Sequence, residues 1–314
     1  MALSGLHTNW LAGSYAGDRE YILRAEENAD LFNGRNVAAN LRAHFDQNNS
    51  LALGYGLDLL VNSDTTINSY LTAAGLGALA LTSQDTTVLG QARAYRSSRL
   101  ASGLLIEPQR MATYVSQLSI DLVTDANARG LLNAVANAYQ TKLIEDLTDG
   151  GMSANDVNAL LGTREFAALL SLKFNGLSPV VRDSNGNYLR NRKMLDAILQ
   201  GNRAEAWFQI RYNSNGNDLA GLAKRRFFEA DTFGLYSAGA SRSTISDAEA
   251  KDVFRMYTAH RDVITAYEIK YAAQISKANL DYQLIADPVG TWAQDSQIAR
   301  EYMIDHYAQF AGAP

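Results

Sequence analysis

The chain contains no cysteine among its 314 residues, which excludes a disulfide framework and a thiolate-bound metal. Histidine is scarce too. The four present (His7, His44, His260 and His306) have neither HxxxH nor HExxH spacing, so a zinc hydrolase is not expected. No apolar run approaches the ~20 residues of a membrane-spanning helix, and no membrane insertion is expected. Positive charge is not in excess. With 28 Lys and Arg against 33 Asp and Glu, the formal charge is −5, which gives no broad electrostatic reason to bind nucleic acid or an anionic bilayer. The opening stretch MALSGLHTNWLAGSY lacks a basic lead and a sustained apolar core, so it does not read as a signal peptide. A target outside the cytoplasm would need another route of delivery.

What is present is a large apolar fraction, 47%, enough to build a substantial core. Its periodicity is mostly helical. Apolar positions Tyr21, Ile22, Ala25 and Leu31 predict an amphipathic helix from Asp18, a candidate N-cap, to about Leu31, broken by Asn33-Gly34. A short helical piece at 37–45 precedes the turn Asp46-Gln-Asn-Asn-Ser50. Leu51 to Leu60 reads as a strand punctuated by Gly54 and Gly56, a pattern that marks close approach by another group or a tight hairpin. Further helices are expected at 106–123 (with Pro108 in its first turn), 126–147, 165–174, 193–199, 203–212 and 219–230. Three more patterns follow, at a Ser246–Glu249 capping box, at 261–278 and at 294–310. The almost wholly apolar 165–174 segment predicts a central buried helix. Arg182–Asn187 imitates a calcium loop poorly, with its glycine at the fourth position and Met194 where a bidentate Glu belongs, so no metal is expected there. The fold class predicted is mainly α, with one small sheet near residues 45–62.

Two carboxyl groups facing each other across a cleft can hydrolyse a glycosidic bond, one protonating the leaving oxygen and the other activating water. Glu27 lies near the C-terminal end of its predicted helix, where the macrodipole disfavours the ionised form and so suits a proton donor. Glu26 is its decoy. Asp46, in the turn, and Asp58, just past the glycine strand, are both candidates for the second group. The glycines would let a sugar chain lie against bare backbone.

Several segments resemble the bacteriophage T4-type lysozymes, glycoside hydrolase family 24. Ile22-Leu-Arg-Ala-Glu-Glu27 looks like the family's first helix with its catalytic Glu, although Asn28 stands where Gly is usual. Phe45-Asp46 followed by Leu53-Gly-Tyr-Gly56 looks like the family's Asp, turn and glycine strand. Ala168 to Gly176 resembles its buried helix, which ends in Phe174 and Asn175. Gly221 to Glu229 is similar to its G-L-x-x-R-R-x-x-E helix, which contains Arg225. The chain departs from the pattern in two further places. Ala52 replaces the Thr that helps hold the attacking water, leaving Ser50 as the nearest hydroxyl, and about ten extra residues separate Glu27 from Asp46. Gly54-Tyr-Gly-Leu-Asp-Leu59 also resembles the ending seen in pesticin-like toxins and secreted bacterial lysozymes, where the Asp after the strand joins the Glu. That tips the choice slightly towards Asp58.

The resemblance implies a lysozyme-like domain over 1–236 with helical insertions at about 63–104 and 126–162, and a helical extension over 237–314. It implies a muramidase with Glu27 as acid and Asp58 or Asp46 as base, with Ser50 assisting. Tyr55, Gly56, Phe174, Asn175 and Arg225 would touch substrate. No cofactor is required. The implied partners are peptidoglycan glycan strands, together with an immunity protein and a secretion apparatus if the chain is a toxin that acts in a rival's periplasm. Residue chemistry alone offers other uses: Asn175 as a helix C-cap, and Lys224, Arg225 and Arg226 as an ion-paired face.

Overall fold

The computed structural model describes residues 3–46, 49–177, 181–182, 188–190, 192–216, 219–282 and 289–307. It is mainly helical with a small three-stranded antiparallel sheet, as the periodicity predicts, and a two-stranded sheet of Val181–Arg182 and Tyr188–Arg190 is added to the one expected. The central part of the turn at 183–187 and the helical pattern beyond 307 lie outside the described residues. Among the described residues, no helix is long and apolar enough to cross a membrane.

The chain forms two compact units, Met1–Ile22 with Tyr139–Pro314, and Leu23–Ala138. The divisions fall inside α1 (Tyr15–Glu27) and α7 (Asp125–Asp149), whereas the motifs had suggested a boundary at 236.

The Leu23–Ala138 unit holds the end of α1, α2 (Ala29–Phe32), α3 (Val37–Asn40), the sheet, α4 (Asp64–Ala73), α5 (Ser83–Ala101), α6 (Pro108–Val115) and the start of α7. The predicted ten-residue strand is in fact a hairpin. Strands β2 (Leu51–Leu53) and β3 (Leu57–Asp58) flank a turn at residues 54–56, and β1 (His44–Phe45) pairs with the other edge of β2. The register sets His44 opposite Ala52 and Ala52 opposite Asp58, so these three share one sheet face. Leu51, Leu53 and Leu57 are buried on the other. Burying each such leucine contributes roughly 1.5–3 kcal/mol, which pins the register because a one-residue slip would expose all three. The weakly patterned stretch 63–104 proves to be α4 and α5, each begun by a hydroxyl cap, Ser63 and Thr82.

In the other unit, α9 (Arg164–Phe174) is the buried helix its composition predicts, with Glu165 to Leu172 all enclosed. It follows α8 (Ala154–Leu160) and packs on α12 (Ala220–Phe233). Around α12 lie α11 (Arg203–Arg211), which packs on α10 (Arg192–Leu199), and α13 (Asp247–Asp281). The two patterns expected at 246–260 and 261–278 are one helix, interrupted only at Tyr271 (φ −115°, ψ 21°). Ser246 caps it as expected, but the Glu249 carboxylate accepts from Ser237 N, so the capping box is not reciprocal. Asp18 is not an N-cap either. It lies within α1, and its carboxylate accepts from Leu11 N and Ala12 N, fastening the lead-in segment.

Candidate active site

The site is built where α1 stops. The helix runs to Glu27 and ends because Asn28 leaves helical backbone space (φ −152°, ψ 82°). Its side chain then caps α2, accepting from Leu31 N at 3.0 Å. The break therefore comes at the residue after Glu27, earlier than the Asn33-Gly34 signal suggests, because a capping Asn competes well with continued helix.

Glu27, half-buried, lies against the hairpin turn. A Cβ placed on Gly56 would come within 3.2 Å of Glu27 Oε2 and 3.4 Å of its Cβ. Gly56 also has φ +89°, so the position needs glycine twice over: for its backbone and for the carboxyl it admits. Asn28 Nδ2 donates to Gly54 O and to Asn40 Oδ1, each at 3.0 Å, and Gly54 N donates back to Asn40 O at 3.0 Å.

Beneath the turn, Tyr55 is buried and its hydroxyl donates to Asp125 Oδ1 at 2.6 Å. Burial first, and the Asp125 bond second, push this phenol up to about 12. Arg24, one turn before Glu27 on α1, reaches Asp125 Oδ2 at 3.3 Å and lies 5.1 Å from the Tyr55 ring centre. Tyr55 thus anchors the turn from below, and the open face expected of a sugar-contacting residue is not where it sits.

The two candidate bases differ in position. Asp58 follows Gly56 by two residues, ~7 Å along a strand at ~3.4 Å per residue. Its Oδ1 accepts from Leu60 N at 2.8 Å and Val61 N at 3.0 Å, while Oδ2 accepts no hydrogen bond among the described residues. Asp46 bonds across to Ser50, at the end of β2 away from the turn. Four residues separate Ser50 from Gly54, which puts Asp46 ~13 Å along the hairpin and one ~4.8 Å strand spacing aside. Asp46 Oδ1 accepts from Ser50 N at 2.9 Å. The Ser50 hydroxyl is enclosed (2% exposed) and makes no hydrogen bond among the described residues, so it is not presented at an open face. Ala52 sits between His44 and Asp58, with a methyl where the lysozyme pattern has a hydroxyl.

Phe174, Asn175 and Arg225 belong to the other unit. There the Phe174 ring lies 4.8 Å from that of Tyr139. Asn175 is the C-cap of α9 and accepts from Arg226 Nη2 at 2.7 Å. Arg225 is buried and donates to Glu229 Oε1, Ser171 O and Ser171 Oγ. Lys224 pairs with Asp281 at 2.7 Å, so the basic helix is an ion-paired face.

The residues missed by pattern reading are Arg24, Asn28, Asn40 and Asp125. Only Asn28 carried a signal, as the departure from Gly next to the candidate acid. Among the described residues no group of three or more His, Asp or Glu is gathered to hold a metal ion. No protein family, curated protein or solved structure matches this chain.

Proposed function

We propose that the chain is a peptidoglycan hydrolase of the muramidase type, cleaving the β-1,4 bond between N-acetylmuramic acid and N-acetylglucosamine. The observation that carries this reading is the approach of the Glu27 carboxyl to Gly56, in the hairpin that presents Asp58 two residues on. The motif resemblance supports it from the sequence side. Glu27 donates its proton to the glycosidic oxygen as the C1–O bond breaks. Water attacks C1 from the opposite face, and its proton passes to the Asp58 carboxylate, inverting the anomeric centre. Such an arrangement needs ~6.5–9.5 Å between carboxyls, and Asp58 is the preferred partner because it follows by two residues the glycine that Glu27 approaches, whereas Asp46 lies at the other end of β2.

A toxin delivered into a rival's periplasm, countered there by an immunity protein, is the setting that the pesticin-like ending favours. A phage lysin or tail lysozyme is the alternative setting. Ala52 favours one second reading, a lysozyme-like module that grips glycan without cutting it, because the attacking water loses a hydroxyl partner. The test is digestion of purified sacculi followed by end-group reduction and mass spectrometry of released muropeptides. Wild type is expected to release products ending in reduced N-acetylmuramic acid, and Glu27→Gln to lose ~10²–10⁴ of the rate, the range for general acid catalysis. Equal release by the two proteins refutes Glu27 as the acid. Sacculus binding without release supports the gripping module.

A further inference from the structure

We infer that Asn28 is a positioning residue that fixes the distance between Glu27 and Asp58, an inference that rests on the muramidase reading. Three bonds converge on this one side chain. Its Oδ1 caps α2 through Leu31 N, and its Nδ2 donates to both Gly54 O and Asn40 Oδ1. The loop of contacts closes when Gly54 N donates to Asn40 O. A rigid connection therefore runs from the residue after the acid, through the amide of Asn28, to the turn two residues before Gly56 and four before Asp58.

The arrangement answers a problem posed by the sequence. The extra residues after Glu27 form α2 and α3, and a segment of that length would ordinarily let the acid drift relative to the sheet. Asn40 is the last residue of α3, so the Asn28–Asn40–Gly54 contacts tie both ends of the inserted segment to the hairpin at one point. Glycine at position 28, usual in the family this chain resembles, has no side chain with which to do this. Misplacing a reacting group by ~1 Å can cost ~10²-fold in rate, whereas binding is less sensitive.

Capping and clamping use different atoms of Asn28, so they can be separated. Serine accepts from the N2 or N3 amide as well as asparagine does, but its hydroxyl is too short to reach Gly54 O and Asn40 Oδ1. Asn28→Ser, Asn28→Ala, Glu27→Gln and wild type would be compared by steady-state muropeptide release and by thermal melting. Asn28→Ser is expected to melt close to wild type and to lose ~10–100-fold in kcat with KM within ~2-fold. Asn28→Ala is expected to show the same kcat loss and also a lower melting temperature, through loss of the cap. Two results overturn the inference alone, in a wild type that cuts: unchanged kcat in Asn28→Ser, or losses in both variants that merely track melting. A wild type that releases no muropeptides overturns the muramidase reading, and the positioning role falls with it.

Discussion

Asp46 and Asp58 are the same residue type, and each is bound to a backbone amide, yet register gives them different surroundings. Asp46 lies at the far end of β2 from Gly56, and its Oδ1 holds the amide of Ser50, four positions on. Asp58 lies on the near end, with one oxygen anchored by two amides and the other accepting nothing among the described residues. A carboxylate held by one oxygen and open at the other is suited to take a proton from water. Replacing either Asp by Asn keeps an acceptor for the anchoring amides and removes only the base. Asp58→Asn is therefore expected to lose ~10²–10⁴ in muropeptide release, and Asp46→Asn to stay within a few-fold of wild type. The reverse ranking in the sacculus assay would make Asp46 the base and invalidate the register argument. At this scale the motif singled out Glu27, Gly56 and Asp58, because a helix end and a glycine pair are local features, and the structure sets Glu27 against Gly56. It carried no sign of Tyr55 joining Asp125, since residues 70 positions apart meet only after folding.

At the scale of elements, α5 shows how much a weak pattern conceals. Its sequence has little amphipathic rhythm, so it reads only as helical pieces with loops, yet it is one helix that a reciprocal capping box starts and polar contacts fix in place. Arg93 donates to Leu59 O, Asn62 O and Asp64, holding the segment just beyond Asp58, and Arg96 donates to Asn49 O. At its N-terminus, buried Asp85 accepts from Thr82 N, Thr82 Oγ1, Ser119 N and Ser119 Oγ, joining the helix to the segment after α6. Burial pushes the Asp85 carboxyl up, but the Ser119 amide, the Thr82 hydroxyl and the remaining donors outweigh it and hold it below its usual range. A depressed carboxyl contributes stability above its unfolded pKa of ~3.9, and that contribution is lost as pH falls through the folded value. Asparagine keeps a single acceptor for four donors. Asp85→Asn should cost ~1–3 kcal/mol at pH 7, and its gap from wild type should narrow below pH ~4. Urea melts at both pH values measure this, and a gap that persists undiminished in acid would show that ionisation is not the source. At 51–60 the single-strand reading gives way to its alternative, the tight hairpin, for a related reason: a turn of Gly-Tyr-Gly inside Leu-rich sequence does not interrupt an apolar run, so two strands look like one.

At the scale of the whole molecule, the chain closes on itself through a buried charge. Residues 1–22 belong to the same compact unit as 139–314, and Glu165 is one of the places where the two segments join, alongside Gly5 O accepting from Ala238 N and Gln140 Oε1 accepting from Tyr15 and Arg19. Its carboxylate is wholly enclosed and accepts from His7 N, from His7 Nδ1 at 2.8 Å if that nitrogen carries the proton, and from Arg203 Nη1 at 2.7 Å. Burial pushes this carboxyl up, yet the His7 bond and the Arg203 charge together hold it below its ordinary range. Arg203 is itself buried, and its other nitrogen donates to Ser4 O and Gly5 O, so the lead-in segment is gripped at both its backbone and its histidine. None of this is legible in sequence, where position 165 reads as one more acid at the start of an apolar helix, 158 residues from His7. Enclosed ion pairs add little net stability over apolar packing, but breaking one strands a charge. Glu165→Gln should therefore cost ~3–5 kcal/mol by leaving Arg203 without a counter-charge, while the double replacement Glu165→Leu with Arg203→Met should recover most of it. Denaturant unfolding with hydrogen exchange read on α9 and α11 distinguishes the cases. A single replacement costing under ~1 kcal/mol would mean that the charge is solvated after all, and a double as damaging as the single would mean that the backbone grip on Ser4 and Gly5, rather than the ion pair, holds the lead-in segment in place.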